Sequence, residues 1–172
     1  MTSDEAYGLL KRKDINDKIS KSLELTKGKN NEHAFDFCSG ENITTTDIEE
    51  GSEYHITIRN RCPIGTKAIG NFHTHAHLSL SKNDAIPSSG DMMETIERDL
   101  DFVCVSGNGH DSSSPIVRCF DKNNIKSEID TILAKKKLEP NEENVRKSSR
   151  HITKRMIKDK DYLNKMSNVL KT

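Results

Sequence analysis

The stretch from residue 68 to residue 106 constrains the fold of this chain most, because it holds a strand, a loop, a helix and a second strand in succession. The first strand is AIGNFH (68–73), and the polar loop after it contains proline and glycine. The helix, DMMETIERDL (91–100), is followed at once by the strand FVCVS (102–106). This order predicts a small α/β domain in which helices pack on a sheet.

Helices and further strands are predicted on both sides of this stretch. Residues 3–26 should be helical, because Ile15, Ile19 and Leu23 recur every four residues and form one apolar stripe. The other predicted strands are AFDFC (34–38), YHITIR (54–59) and IVRCF (116–120), and the other predicted helices are residues 123–137 and a long polar segment after Pro140. We therefore expect a mixed β-sheet flanked by helices, with a C-terminal helical extension.

The C-terminal part of the chain is basic although the whole chain is neutral. Lys and Arg together number 27, as do Asp and Glu, yet residues 135–172 hold twelve basic and five acidic residues. We interpret residues 1–122 as the main domain and residues 123–172 as a basic helical extension. The apolar stripe of this extension is expected to be too thin to build a core, so its helices would pack on the domain or mediate homo-oligomerisation.

The alternative for this extension is a basic surface that attracts nucleic acid or an acidic partner. The sequence has no helix-turn-helix, zinc-finger or RNA-recognition motif, so nucleic-acid binding is not expected. Membrane association is not expected either, because no run approaches the roughly 20 apolar residues of a membrane span.

The cysteines and the first residues bear on the cellular location. The sequence starts without an apolar stretch long enough for a signal peptide, so a cytoplasmic location is expected. The four cysteines, Cys38, Cys62, Cys104 and Cys119, should then be reduced, and most should be small buried apolar residues. None of them is spaced as Cys-x-x-Cys, so a cysteine-based metal site is not expected.

A pair of histidines at the end of the strand 68–73 indicates a metal site. In an extended strand, residues i and i+2 point to the same side, so His73 and His75 can face one ion together. Two imidazoles and one carboxylate form a zinc site with a fourth position open to water. Zinc lowers the pKa of such a water to about 7, and a carboxylate that is not a ligand can then act as general base. The alternative is that the pair is ordinary polar surface.

The carboxylate is supplied by a second pattern, Ser88-x-x-Asp91, at the start of the helix 91–100. This pattern is also that of an ordinary helix capping box. The two roles are compatible, because a capped first turn fixes the Asp91 carboxylate and a metal ligand benefits from being rigid.

Together these residues resemble the signature of the JAMM (MPN+) zinc metalloproteases of archaeal or bacterial type. The segments Gly70-Asn71-Phe72-His73-Thr74-His75 and Pro87-Ser88-Ser89-Gly90-Asp91 are similar to His-Ser/Thr-His-Pro…Ser-x-x-Asp. The resemblance covers about residues 30–120 and implies a cytidine-deaminase-like fold. It also implies that His73, His75 and Asp91 bind Zn²⁺ and that Ser88 stabilises the oxyanion.

The same resemblance implies a catalytic glutamate on an earlier strand. Glu32 is the candidate, because it immediately precedes the strand AFDFC, although Ala34 stands where the family has glycine. Glu24, in a helical pattern, and Glu41, in a turn, are the alternatives.

Two features depart from the family pattern. Ala76 follows the second histidine in place of proline, and fifteen residues (76–90) separate that histidine from Asp91, more than the family usually has. Asp84, in a second Ser-x-x-Asp pattern, is therefore an alternative ligand. His77 could bind metal at rest, contact substrate or do neither.

The resemblance implies a zinc-dependent metalloprotease that hydrolyses amide or isopeptide bonds and removes a ubiquitin-like modifier from its conjugates. A peptide substrate would suit the same site. The alternative is a catalytically inactive relative that serves as a scaffold or binding module. A zinc deaminase is not expected, because the His-x-Glu and Pro-Cys-x-x-Cys patterns of that chemistry are absent.

Overall fold

The computed structural model describes residues 1–52, 56, 61–76, 83–108 and 114–171. Within these residues the protein is an α/β structure with an open, mixed sheet flanked by six helices, which confirms the predicted fold class at this level. None of these helices combines the length and the apolar character needed to cross a membrane.

The elements follow one another in the predicted alternation as far as the last helix, after which the structure has a strand that was not predicted. The helices are α1 (Ser3–Leu10), α2 (Lys13–Lys29), α3 (Ser89–Glu97), α4 (Lys122–Lys136), α5 (Glu142–Lys158) and α6 (Lys160–Met166). The strands are β1 (His33–Cys38), β2 (Thr44–Thr45), β3 (Glu49–Glu50), β4 (Ala68–Thr74), β5 (Phe102–Gly107), β6 (Ile116–Asp121) and β7 (Asn168–Lys171).

The strands are arranged in the order β2-β1-β4-β5-β6-β7, and β3 pairs with the other end of β1. The pair β4–β5 is parallel, whereas the other pairs are antiparallel. A parallel pair requires a crossover connection, and α3 lies in that connection. The stretch that constrains the fold most is therefore one β-α-β unit at the centre of the sheet.

One face of the sheet packs against α1 and α2 through aromatic residues. The rings of Phe35 and Phe72 are 5.1 Å apart, as are those of Phe37 and Phe102. The predicted stripe of α2 lies in the same cluster, where its members are buried: Ile15, Ile19 and Leu23. Because side chains alternate along a strand, the residues between these phenylalanines point to the other face.

The other face packs against helices from the C-terminal part of the chain. Val103, Val105 and Phe120 form a second buried cluster with apolar residues of α3 to α6, among them Met92, Ile125, Ile129, Leu133, Ile152, Met156 and Leu163. The expectation that the C-terminal helices are too poor in apolar residues to build a core is wrong, because most of their apolar residues lie on the side facing the sheet, although Ile157 is exposed. The boundary between residues 122 and 123 stays a prediction.

Two predicted helices differ from the structure. The helix expected over residues 3–26 is interrupted between α1 and α2. The long polar helix after Pro140 ends at Asp159, whose extended backbone (φ −125°, ψ 101°) ends α5 while its side chain caps α6. The last residues of the segment that was predicted to be helical form β7 instead, which pairs with β6. The predicted strand 54–59 lies outside the described residues apart from Ile56, which is buried.

The cysteines are paired, so the expectation of reduced thiols is wrong. Cys38 is bonded to Cys62, and Cys104 is bonded to Cys119. The second pair lies directly opposite across the β5–β6 ladder, with Cα atoms 4.1 Å apart. Such proximity follows from strand register, which spacing along the sequence does not reveal. The cytoplasmic location from which reduced thiols were expected stays a prediction, and disulfides form mainly in oxidising compartments.

Candidate metal centre

The three predicted ligands converge at one end of the β-α-β unit. His73 lies near the end of β4, His75 just beyond it, and Asp91 in the first turn of α3. The Nε2 atoms of the two histidines are 3.1 Å apart. Asp91 Oδ2 lies 3.2 Å from Nε2 of His75 and 3.3 Å from Nε2 of His73. The fold therefore brings one atom of each ligand to the corners of a nearly equilateral triangle.

The dimensions of this triangle fit a tetrahedral metal ion. Zinc binds nitrogen and oxygen ligands at about 2.0–2.1 Å, so two ligands of a tetrahedral site lie about 3.3 Å apart. The separations of 3.1 to 3.3 Å match that value. Two imidazoles and a carboxylate suit zinc and other divalent transition metals. Three protein ligands leave a fourth position for water or substrate.

A capping box fixes the carboxylate of Asp91, the third candidate ligand. The backbone N–H of Asp91 donates to Ser88 Oγ (3.1 Å), and the backbone N–H of Ser88 donates to Asp91 Oδ2 (2.8 Å). The capping box predicted from the sequence is thus confirmed. Because Oδ2 is also the atom that faces the histidines, the helix cap holds this ligand atom in place.

The electrostatics of the triangle favour a charged carboxylate. Burial works against ionisation of Asp91, but His73 and His75 outweigh it and hold the pKa of this carboxyl well below its usual range. Burial likewise disfavours protonated His73, yet the charge of Asp91 and its hydrogen bond raise the pKa of the imidazole. The same negative charge would favour a cation bound between the three side chains.

Glu32, the predicted base, lies in the same cleft. It precedes β1, is only 8% exposed, and its backbone is fixed by hydrogen bonds to Ser52 and Gly51. Burial, with a contribution from Asp91, raises the pKa of the Glu32 carboxyl to about 7, although His75 acts in the opposite direction. The alternatives are both exposed and lie outside the cleft: Glu24 on α2 and Glu41 after β1.

The cleft has a volume of about 670 Å³ and is lined by Glu32 before β1, by β4, α3 and α5, and by residues of the segment 83–88. The contribution of α5 consists of Arg146, Thr153 and Ile157. Thr153 Oγ1 donates to the carbonyl oxygen of Pro87 (3.0 Å), so α5 holds the residue that precedes Ser88. This wall could not be predicted from the sequence, because it depends on how α5 packs on α3.

Two alternative ligands have different outcomes. Asp84 is 5% exposed and lines the cleft, but it is not among the converging ligand atoms of the described residues. Gly107, at the end of β5, allows the backbone of Asp84 to lie against this strand, since a Cβ at position 107 would be 2.3 Å from the carbonyl carbon of Asp84. His77, the other alternative, lies outside the described residues.

Sequence reasoning also missed the residue that contacts His73 from behind. Nδ1 of His73 is 2.9 Å from Oδ1 of Asn71, which precedes it by two residues and is 5% exposed. The spacing i, i+2 that indicated His75 would also have indicated Asn71, because both lie on the His73 side of the strand.

Comparisons with known proteins add no relationship to this picture. The chain matches no protein-family model, no curated protein and no solved structure.

Proposed function

We propose that this chain is a zinc-dependent metalloprotease of the JAMM (MPN+) type, which hydrolyses amide or isopeptide bonds and removes a ubiquitin-like modifier from lysine. The observation that carries the proposal is the triangle of His73, His75 and Asp91, with sides of 3.1 to 3.3 Å, in one cleft with the buried carboxyl of Glu32. A metal site built for structure alone is usually closed by four protein ligands, whereas three ligands beside a carboxylate are typical of hydrolases.

Zinc held by these three residues would supply a Lewis acid and a water molecule of lowered pKa. Glu32 is placed to accept a proton from the attacking water, because it faces the cleft and does not belong to the triangle. The hydroxyl group of water is added to the carbonyl carbon, the C–N bond breaks, and Glu32 delivers its proton to the leaving amine. Burial already raises the pKa of this carboxyl to about 7 in the metal-free protein, and a base that titrates near neutral pH is suited to both transfers.

Ser88 supports the developing negative charge on the carbonyl oxygen. Its Oγ accepts a hydrogen bond from the backbone of Asp91, so its own hydroxyl proton is free to be donated into the cleft. Asp91 and Thr153 fix the position of this donor through the capping box and through Pro87. A fixed donor directed at an oxyanion is worth about 3–4 kcal/mol in comparable enzymes.

The proposal is tested by measuring bound zinc per chain and cleavage of a lysine conjugate of a ubiquitin-like protein on the same samples. We expect one zinc in the wild type and in Glu32→Gln, and none in His75→Ala or Asp91→Ala. Cleavage should be confined to proteins that keep both zinc and Glu32. Asp84→Ala is the matched control, because it removes a carboxylate from the same cleft but not from the triangle.

Each outcome decides between the candidate functions. Absence of zinc from the wild type would overturn the proposal. If zinc is bound but neither conjugates nor peptides nor modifier precursors are cleaved, the chain would be a catalytically inactive binding module of the same fold. Loss of zinc in Asp84→Ala, with zinc retained in Asp91→Ala, would show that the third ligand is Asp84 and not Asp91.

A further inference from the structure

A line of buried polar side chains runs from the metal triangle to the far end of α3. Asp36 on β1 and Asn71 on β4 face each other directly in the antiparallel ladder, and both are buried. Asn71 Nδ2 donates to Asp36 Oδ1 (3.0 Å) and to the carbonyl oxygen of Phe35 (3.3 Å). Both of these partners only accept hydrogen bonds, so they fix which end of the Asn71 amide carries the nitrogen.

The carboxylate of Asp36 is in turn held by Arg98, at the C-terminal end of α3. Nη2 of Arg98 lies 2.6 Å from Oδ2 of Asp36, and Nη1 lies 3.4 Å from Oδ1. This two-pronged contact is the geometry in which a guanidinium holds a carboxylate most strongly. Asp36 is fully buried, so it depends on these donors, and it remains an acceptor towards Asn71.

The direction of these bonds leaves one role for the remaining atom of the amide. Asn71 Oδ1 faces Nδ1 of His73 at 2.9 Å and can only accept. Nδ1 of His73 must therefore carry its hydrogen, and in the neutral imidazole the lone pair then belongs to Nε2. Nε2 is the atom that converges with His75 and Asp91.

We infer that Arg98, Asp36 and Asn71 form an orienting relay that keeps neutral His73 in the Nδ1–H tautomer, with Nε2 free to bind a metal ion. The inference deepens the proposed function and rests on it for the metal, but the tautomer itself is a property of the metal-free protein. Asn71 is a positioning residue in this relay, because it acts through His73.

Loss of the relay has a specific consequence in the metal-free protein. Asp91 Oδ2 lies 3.3 Å from Nε2 of His73 and would attract a hydrogen to that nitrogen. With Asn71 replaced by leucine, the Nδ1–H tautomer loses its acceptor, whereas the Nε2–H tautomer keeps Asp91 as its acceptor. Metal binding must then displace a hydrogen from the ligand atom. Loss of partners of this kind typically weakens metal binding about 10–100-fold.

The test is the tautomer of His73 in protein stripped of metal, read from the ¹⁵N shifts of histidine-labelled samples at about pH 9, where imidazoles are neutral. The His73 signals are assigned from the His73→Gln variant. We expect the Nδ1–H form in the wild type and the Nε2–H form in Asn71→Leu. Asn83→Leu is the matched control, because Asn83 lines the same cleft without contacting the relay, and it should keep the wild-type tautomer.

A double variant distinguishes positioning from mere packing. Asp36→Asn combined with Asn71→Asp exchanges the amide and the carboxylate, so an acceptor again faces His73 Nδ1. This variant should regain the Nδ1–H form and, in competition with a chelator, bind Zn²⁺ more tightly than Asn71→Leu. An Nε2–H form of His73 in the wild type would overturn the inference. This outcome does not depend on whether any variant folds. An unchanged tautomer in Asn71→Leu would overturn the inference as well. Because this measurement needs neither metal nor substrate, it can succeed even if the proposed hydrolase activity is absent.

Discussion

Ser88 and Asp91 hold each other through two reciprocal hydrogen bonds, and the Asp91 oxygen that closes this pair is also the one that faces the two histidines. One helix cap therefore serves both the stability of α3 and the geometry of the site. A substitution that keeps one of these two roles and removes the other can therefore separate their effects.

Substitution of Ser88 tests this double role. Ser88→Ala should lower the free energy of unfolding by about 1 kcal/mol, because the N-terminus of α3 loses its side-chain cap. It should also lower kcat about 100-fold or more, because the oxyanion loses a donor. Ser88→Thr, which keeps a hydroxyl, is the control and should retain most of both. Urea unfolding and steady-state kinetics check the two effects. A loss of stability without a loss of kcat would reduce Ser88 to a cap.

Glu32 is predicted to be catalytically required but unfavourable for stability. Burial raises the pKa of its carboxyl from 4.5 to about 7, so the folded protein binds a proton more tightly than the unfolded chain. Stability of the metal-free protein should therefore fall as the pH rises from about 4.5 to 7, where the unfolded chain has already released this proton. Glu32→Gln should lack that fall and be more stable at pH 8 by roughly 2–3 kcal/mol.

The measurement for Glu32 is the free energy of unfolding against pH, in the presence of a chelator, for the wild type and Glu32→Gln. Glu24→Gln serves as the control, since that carboxyl is exposed on α2 and its removal should leave the curve unchanged. Parallel curves for the wild type and Glu32→Gln would show that Glu32 is solvated and unsuited to its proposed role.

The disulfides predict a chain without free thiols. Protein purified without reductant and then unfolded should show no reaction with a thiol reagent until a reductant is added. Reduction should destabilise the fold by about 3 kcal/mol for each bridge, as expected for closed loops of 15 and 24 residues. The double variant Cys38→Ser/Cys62→Ser should show half of the reduction-dependent loss. Four reactive thiols in the unfolded wild type before reduction would contradict the pairing.

The site was predictable from the sequence where its determinants are local. His73 and His75 are related by the period of a strand, and Ser88 and Asp91 by the spacing of a helix cap, so each pair could be recognised by itself. The pairing of Asp36 with Asn71 could not, because it depends on the register between β1 and β4, which are joined by 29 residues. The same reason hid the opposed Cys104 and Cys119.

The helical extension shows the same limit at a larger scale. The apolar residues of α4 and α5 are sparse, and their periodicity predicted helices correctly without indicating what they cover. Their partners are Val103, Val105 and Phe120, which lie on strands. The role of α5 as a wall of the cleft follows only from that packing, as does the end of the chain becoming β7.

Ile157 provides the clearest test that α5 belongs to the functional site. It is 36% exposed and lines the cleft, whereas Ile64, fully exposed before β4, does not. An apolar side chain left open to water at the edge of a cleft can be covered when an extended substrate binds. Ile157→Ala should therefore raise KM about 5–30-fold, equivalent to about 1–2 kcal/mol of apolar contact, with little change in kcat.

Stability should change by less than about 0.5 kcal/mol in this variant, as is usual for surface substitutions. Ile64→Ala is the control, since it removes the same side chain from a site away from the cleft and should leave KM unchanged. The assay is cleavage of a lysine conjugate of a ubiquitin-like protein over a range of concentrations. Equal KM values for both variants would mean that substrate does not reach α5, and that this helix acts only by holding Pro87 and Ser88 in place.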